Sequence, residues 1–310
     1  MCVTKSVPLL RLHETWGREN ASVRSTFTGP RGERGVVRRV VLVVLDGLRP
    51  DAIETFGLRT LQDLATRGAS TMRATTVGPS VTAACMASLF TGVAPESHGI
   101  RSSKFHLGSR SERMYPMPEM LARAKLSTEA FLAQVPWYMK HIAARIARAL
   151  HVKATFAGRD SVAVVGAARQ RLRDMTDGLM VMHWPDGDDA GHAHGWMTDE
   201  YRHAARRMDA SMAEVVDTIQ PFERSDTLLI AMADHGGGGA QLRDHESAHP
   251  TDRTIPIIFA GGAVPSRALR DPVSLLDVPP TVLWALGADV PGSYHGRPLL
   301  EVFGREEAPV

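Results

Sequence analysis

Cysteine is nearly absent, with 2 in 310 residues. Cys2 and Cys85 cannot build a disulfide framework or a thiolate zinc site. Aromatics are sparse at 6%, and no basic motif interleaves with them, which excludes a nucleic-acid platform. Charge of neither sign dominates: 36 Lys+Arg against 34 Asp+Glu leave +2. No apolar run approaches the about 18–20 residues of a membrane span. The N-terminus lacks a signal-peptide core, because Val7-Pro8-Leu9-Leu10 is short and Arg11 follows. A soluble cytoplasmic protein is the expectation. No fixed period is present, so repeat architectures are excluded. At 44% hydrophobic and 23% charged, the rest is ordinary globular composition. The surplus is histidine: 13 residues, seven of them between His183 and His249. Imidazole binds metals and titrates near neutral pH.

Residues 1–36 are polar, end in glycines and read as a loosely ordered arm. Residues 37–303 read as one folded domain and 304–310 as a tail. The β-branched run at 36–45 reads as a buried parallel strand. Further strands are expected at 178–183, 226–233 and 255–260. Helices are expected at 60–67, with Thr60 as N-cap and Gly68 as C-cap, and at 82–90, 199–219 and 275–286. Met139, Ile142, Ile146 and Leu150 mark one more amphipathic helix. From Arg101 to Lys153, ten Lys/Arg face three Glu. That reads either as a solvated helical face or as a basic cap over an anionic substrate. Strands alternating with helices imply a mostly parallel sheet covered on both faces. Ligands of such sheets bind beyond the carboxyl ends of the strands.

Three segments with ligand-type side chains follow strand-like runs. They are Asp46-Gly47, Asp188-Asp189-Ala190-Gly191-His192, and Asp234-His235-Gly236-Gly237 with Arg243-Asp244-His245 after it. Carboxylate plus imidazole suits zinc, manganese or iron. Singly, each segment is equally a turn with a capping Asp or a hydrogen-bonded His. Together, all at strand ends, they point to a metal site. Two such ions can clamp the attacking and leaving oxygens of a phosphoryl or sulfuryl group. Gly236–Gly239 is no phosphate loop, since no Gly-Lys-Ser/Thr follows, and it reads as a flexible loop.

With Pro79-Ser80-Val81-Thr82, Thr91-Gly92-Val93-Ala94-Pro95-Glu96-Ser97-His98-Gly99-Ile100, Thr254-Ile255-Pro256-Ile257 and Ser274-Leu275-Leu276-Asp277-Val278-Pro279-Pro280-Thr281, these segments make a pattern. The chain resembles the alkaline phosphatase superfamily, in its type I phosphodiesterase/nucleotide pyrophosphatase branch. The resemblance runs from about 40 to 300 and is weakest over 101–175, which is expected to be a small variable cap. It implies a three-layer α/β/α sandwich with a mostly parallel central sheet. It also implies two divalent metal ions, zinc first, with Mn or Fe as alternatives. One ion would be held by Asp188, His192 and His245, with His249 as the alternative to His245. The other would be held by Asp46, Asp234, His235 and the oxygen of Thr82.

The resemblance further implies that Thr82 attacks phosphorus and forms a phospho-enzyme intermediate. Metal coordination would activate its hydroxyl, and a helix starting there would point N–H groups at the phosphate. By itself, Thr82 also reads as a helix N-cap. Ser80 is the alternative nucleophile. The formylglycine motif of sulfatases is missing: Thr82 replaces the Cys, and Ala84 and Met86 replace the Pro and Arg. The Asn that nucleotide pyrophosphatases carry after the His-Gly-Ile turn is missing too. Ser103, Lys104, His194 or an Arg of the cap are candidate donors in its place, and Cys85 and Trp184 are further candidate substrate contacts. Trp184, Trp196, Tyr201 and Trp137 are candidate walls of a groove for a diester's second group. The expected activity is hydrolysis of a small-molecule phosphoric ester, most simply a diester. The alternatives are a phosphomonoesterase, a phosphonate hydrolase, or an inactive metal-bound binding protein.

Overall fold

The computed structural model describes residues 35–102, 114–134 and 140–305. Eight strands form one sheet: β1 (Arg39–Leu45), β2 (Ala69–Thr75), β3 (Thr128–Ala133), β4 (Val152–Ala157), β5 (Gly178–Trp184), β6 (Thr227–Met232), β7 (Thr254–Ala260) and β8 (Arg267–Ala268). Their order is β4-β3-β5-β1-β6-β7-β2-β8. The first five in that order run parallel. β7 is antiparallel to both of its neighbours. The helices are α1 (Pro50–Thr55), α2 (Arg59–Arg67), α3 (Thr82–Thr91), α4 (Pro95–His98), α5 (Met117–Arg123), α6 (Lys140–Ala149), α7 (Ser161–Asp174), α8 (Asp186–His194), α9 (Asp199–Ile219), α10 (Pro250–Arg253) and α11 (Val278–Ala285). One set, α1, α2, α7, α8 and α9, packs together against the sheet, and another centres on α3, α5 and α11. This is the three-layer α/β/α arrangement with a mostly parallel sheet.

β1 and β6 are buried at every residue because both sheet faces are covered and both edges paired. The one charged residue of β1, Arg39, donates to the Leu172 and Met175 carbonyls at 2.9 and 3.0 Å. That satisfies a buried guanidinium at the foot of the sheet, away from the strands' carboxyl ends.

Three expectations are corrected. Residues 101–175 are not a cap set apart from the sandwich: they supply β3, β4 and α7, so two sheet strands come from this stretch. Its helix α6 lies against β4 with Arg145 and Arg148 exposed, which is the solvated-face arrangement. Thr60 does not cap α2. The N-cap is Leu58, without a side-chain bond. The carboxylate of Asp209 on α9 instead accepts from Thr60 N and Leu61 N at 3.2 and 2.9 Å. Residues 275–286 divide into a 3-10 turn, Leu275–Asp277, and α11. Most of the 1–36 arm and the end of the tail lie outside the described residues.

Candidate metal centre and nucleophile

Three adjacent parallel strands, β5, β1 and β6, end level with one another. Val44 pairs with His183 on one side and Met232 on the other. Asp46 therefore emerges beside Asp234, while Asp188 arrives on the first turn of α8. Gly47 permits this closeness: its φ is +69°, and a methyl there would lie 3.0 Å from the Asp188 backbone. Asp234 is fixed by its Oδ1, which accepts from Gly47 N at 3.3 Å and His235 N at 3.0 Å. On α8, Asp188 and His192 stand four residues apart and so share a face.

His192, His235 and His245 are oriented alike. Each Nδ1 donates to a backbone carbonyl: His192 to Arg243 at 2.9 Å, His235 to Gly236 at 2.8 Å, and His245 to Ser80 at 2.6 Å. A carbonyl only accepts, so Nδ1 carries the hydrogen and Nε2 is the nitrogen turned inward. His245 Nε2 lies 3.1 Å from His192 Nε2, and each is 3.4 Å from Asp188 Oδ1. His235 Nε2 lies 3.1 Å from Asp46 Oδ1, 3.8 Å from Asp234 Oδ2 and 3.9 Å from Asp188 Oδ1. Thr82 Oγ1 is 3.1 Å from the same His235 nitrogen.

The electrostatics describe a cluster short of positive charge. Burial and the charge of Asp46 push Asp188 up to about 8 and Asp234 up to about 6. Burial alone would raise Asp46 too, but His183 and His235 hold it below the carboxylate range. Burial would lower His235, yet Asp234, Asp46 and Asp188 push it up to about 10. Burial and the neighbouring His235 push His245 down to about 4, so that ring is neutral at pH 7. Asp188 Oδ1 and Asp234 Oδ2 are buried with no hydrogen-bond partner among the described residues. Buried polar atoms are ordinarily paired. Inward imidazole nitrogens, unpaired carboxylate oxygens and mutually raised acids together fit divalent cations. Three overlapping groups have ligand atoms within 4.8 Å of one another: Asp188/His192/His245, Asp46/Asp188/His235 and Asp46/His183/Asp234.

Other candidates are placed elsewhere. His249 is exposed and caps α10, its Nδ1 accepting from Thr251 N at 3.3 Å, and it does not join the cluster. His194 is exposed at the end of α8 and joins no cluster either. Ser80 spends its hydroxyl on the His245 carbonyl at 2.5 Å, so it faces the ligand loop as a brace. Thr82 is not an N-cap: Val81 holds that position, and Thr82 is the first residue of α3. Cys85 is enclosed, and burial, then the charge of Asp234, pushes its thiol well above the usual range. Trp184, Trp196 and Tyr201 are at most 1% exposed, so none of them lines a substrate groove. Ser103, Lys104 and Trp137 lie outside the described residues.

Trp196 has another role. Its Nε1 donates to Gly47 O at 2.9 Å, and its ring meets those of His192 and His245 edge-on, with centroids 5.5 and 5.7 Å away. Methyls at Gly191 and Gly237 would come within 2.5 and 2.1 Å of the indole. The glycine run is therefore packed against a ring and is not the expected flexible loop. His183 has no role assigned from the sequence. Its Nε2 lies 3.1 Å from Asp46 Oδ2. The available signal was one polar side chain in the apolar run of β5.

A type I phosphodiesterase / nucleotide pyrophosphatase family model matches residues 40–269. The chain belongs to that family. Among curated relatives, the 2,3-bisphosphoglycerate-independent phosphoglycerate mutase of Rhodopirellula baltica is 31% identical over 127 residues, 40% of this chain. That segment is 22% of the mutase's length, so the chain matches under a quarter of this relative. Among solved structures, a 2-O GAG sulfatase superposes with a TM-score of 0.67 at 16% identity, covering 87% of this chain and 75% of the other. The phosphonate monoester hydrolase of Agrobacterium radiobacter gives 0.65 at 14% identity, covering 87% and 78%. At such identities the likeness is one of fold. Among the described residues, no helix of this family member is long and apolar enough to cross a membrane.

Proposed function

We propose that the chain is a divalent-metal-dependent phosphoric ester hydrolase, a phosphodiesterase in the first instance, with Thr82 as nucleophile. The observation that carries this reading is the hydroxyl of Thr82 at 3.1 Å from His235 Nε2, a member of the Asp46/Asp188/His235 group. Asp188, His192 and His245 would hold one ion. Asp46, Asp234, His235 and Thr82 would hold the other, with zinc as the first candidate and Mn or Fe as alternatives. When bound, the ions supply positive charge to the phosphoryl oxygens and to the attacking and leaving groups.

The chain's own groups set the geometry. Thr82 opens α3, whose first-turn N–H groups have no intrahelical acceptor and face an anion favourably. Its hydroxyl releases its proton to solvent and Oγ bonds to phosphorus in line as the bond to the leaving oxygen breaks, and that oxygen takes a proton from solvent. Water then attacks phosphorus and gives up a proton, the Oγ–P bond breaks, and Thr82 Oγ takes a proton back. The Ser80 and Arg243 carbonyls keep the His245 and His192 rings turned inward throughout. Family membership favours the phosphoric ester over the sulfate ester, and Thr82 in place of Cys supports it. A monoesterase or phosphonate hydrolase is the second reading, favoured by the enclosure of the aromatics expected to line a diester groove.

The test is one panel of aryl phosphate diesters, monoesters, phosphonates and sulfates, before and after chelation and with zinc or manganese restored. Diester turnover should dominate, vanish with chelation and return with metal. Thr82→Ala should lower kcat by on the order of 10³-fold or more without unfolding the protein. Turnover that survives chelation refutes the metal dependence, and undiminished turnover in Thr82→Ala refutes the nucleophile.

A further inference from the structure

β5 reads Gly-Leu-Met-Val-Met-His-Trp, and every residue except His183 is buried. A strand flanked on both sides in a covered parallel sheet ordinarily carries an unbroken apolar run. An imidazole there needs a polar partner to offset its desolvation. His183 is level with Val44 in the β1–β5 ladder, so its ring emerges at the carboxyl edge beside Asp46. Its Nε2 is 3.1 Å from Asp46 Oδ2, while His235 Nε2 is 3.1 Å from Asp46 Oδ1. Asp46 is thus held between two imidazoles, one from each flanking strand. His183, Asp46 and Asp234 each offer a ligand atom within 4.8 Å of the others. Asp234 Oδ2 is buried without a hydrogen-bond partner among the described residues.

We infer that His183 is an additional protein ligand of the ion held by Asp46 and Asp234. The inference rests on the two-metal reading above and extends it. Asp46, Asp234, His235, His183 and Thr82 together offer five donors. Zinc is most often four-coordinate, whereas manganese and iron accept larger shells of nitrogen and oxygen. The Asp188/His192/His245 position has three donors and suits zinc. The two positions therefore differ in the metal they prefer, with the larger shell at Asp46.

The deciding experiment locates ions by anomalous scattering in crystals of the wild-type chain soaked separately with Zn²⁺ and with Mn²⁺. The expected result is an ion between Asp46 and Asp234 with His183 Nε2 at bonding distance, about 2.1 Å for zinc. An ion held there with His183 Nε2 beyond about 3 Å, the range of a hydrogen bond, overturns this inference and leaves the two-metal reading intact. No ion at either position overturns the two-metal reading itself, and this inference with it. In solution, calorimetric Zn²⁺ titration of His183→Ala should show one of two binding events weakened by more than about 100-fold and the other retained. A loss no larger than the about 10–100-fold typical of outer-shell partners overturns ligation.

Discussion

Asp188→Asn separates the cost of the acidic cluster from its use. In the metal-free chain, burial and Asp46 hold the Asp188 proton up to about 8, against about 4 for an unfolded aspartate. The sign follows from proton counting. Between pH 4 and 8 the folded chain keeps this proton and the unfolded chain has released it. Folding stability therefore falls as pH rises through that window, by about 1.4 kcal/mol per pH unit for one proton. Below pH 4 the penalty is absent, and above pH 8 it is complete, on the order of 5–6 kcal/mol. Asparagine cannot ionise, so Asp188→Asn removes this contribution. His235, raised to about 10, adds stability that is full below about 6.5 and is lost as pH rises towards 10, so some downward slope persists. The assay is urea unfolding from pH 5 to 9 in excess chelator. The variant should be more stable than wild type at pH 8 by a few kcal/mol, about 2–4 °C in Tm per kcal/mol for a domain of this size. With saturating zinc the order should reverse, because wild type then gains binding energy that the variant lacks. His245, pushed down to about 4, gives the opposite slope below about 6.5, so a wild-type chelated profile that is flat or rises from pH 6.5 to 8 would refute the reasoning.

Two further outcomes test neighbouring parts of the site. His245→Ala should abolish one of two zinc-binding events by calorimetry, whereas His249→Ala should leave both unchanged, since His249 caps α10. Trp196→Ala should cost about 3–5 kcal/mol in chemical denaturation, as for other large buried aromatics. It should also weaken zinc binding, because the indole braces His192, His245 and the Gly47 carbonyl.

Much of the fold was legible because its central elements have strong periods. The 36–45, 178–183, 226–233 and 255–260 runs correspond to β1, β5, β6 and β7, the apolar strands of a covered sheet. The long amphipathic α9 has the bounds that its 3.6-residue period indicates. β2, β3 and β4 are not marked in the sequence because Ala-Ser-Thr-Met-Arg-Ala-Thr, Thr-Glu-Ala-Phe-Leu-Ala and Val-Lys-Ala-Thr-Phe-Ala mix polar residues into short runs. Such strands owe their state to neighbours rather than to their own pattern. α8 reads in the sequence only as a ligand segment, since two glycines and three aspartates in nine residues hide a helix. Thr60 misled for a related reason: local cap chemistry pointed to its own side chain, and the cap is Asp209 from α9.

The sequence by itself determined the chemistry of the site. Its carboxylates, imidazoles and threonine stand in segments that follow strands, and its near lack of cysteine excludes a thiolate centre. The tertiary structure decided which of them meet. Residue type and spacing do not separate His245, the first choice, from His249 four residues on. Only His245 turns inward, because the Ser80 carbonyl, 165 residues away, takes its Nδ1 hydrogen. His183 enters because β5 lies level beside β1, a matter of strand register. Trp184, Trp196 and Tyr201 leave the list of groove residues because packing encloses them. Residue type and period are local properties of a chain. Distance between segments is set by strand order, register and the backbone carbonyls that hold each ring, and these exist only after folding.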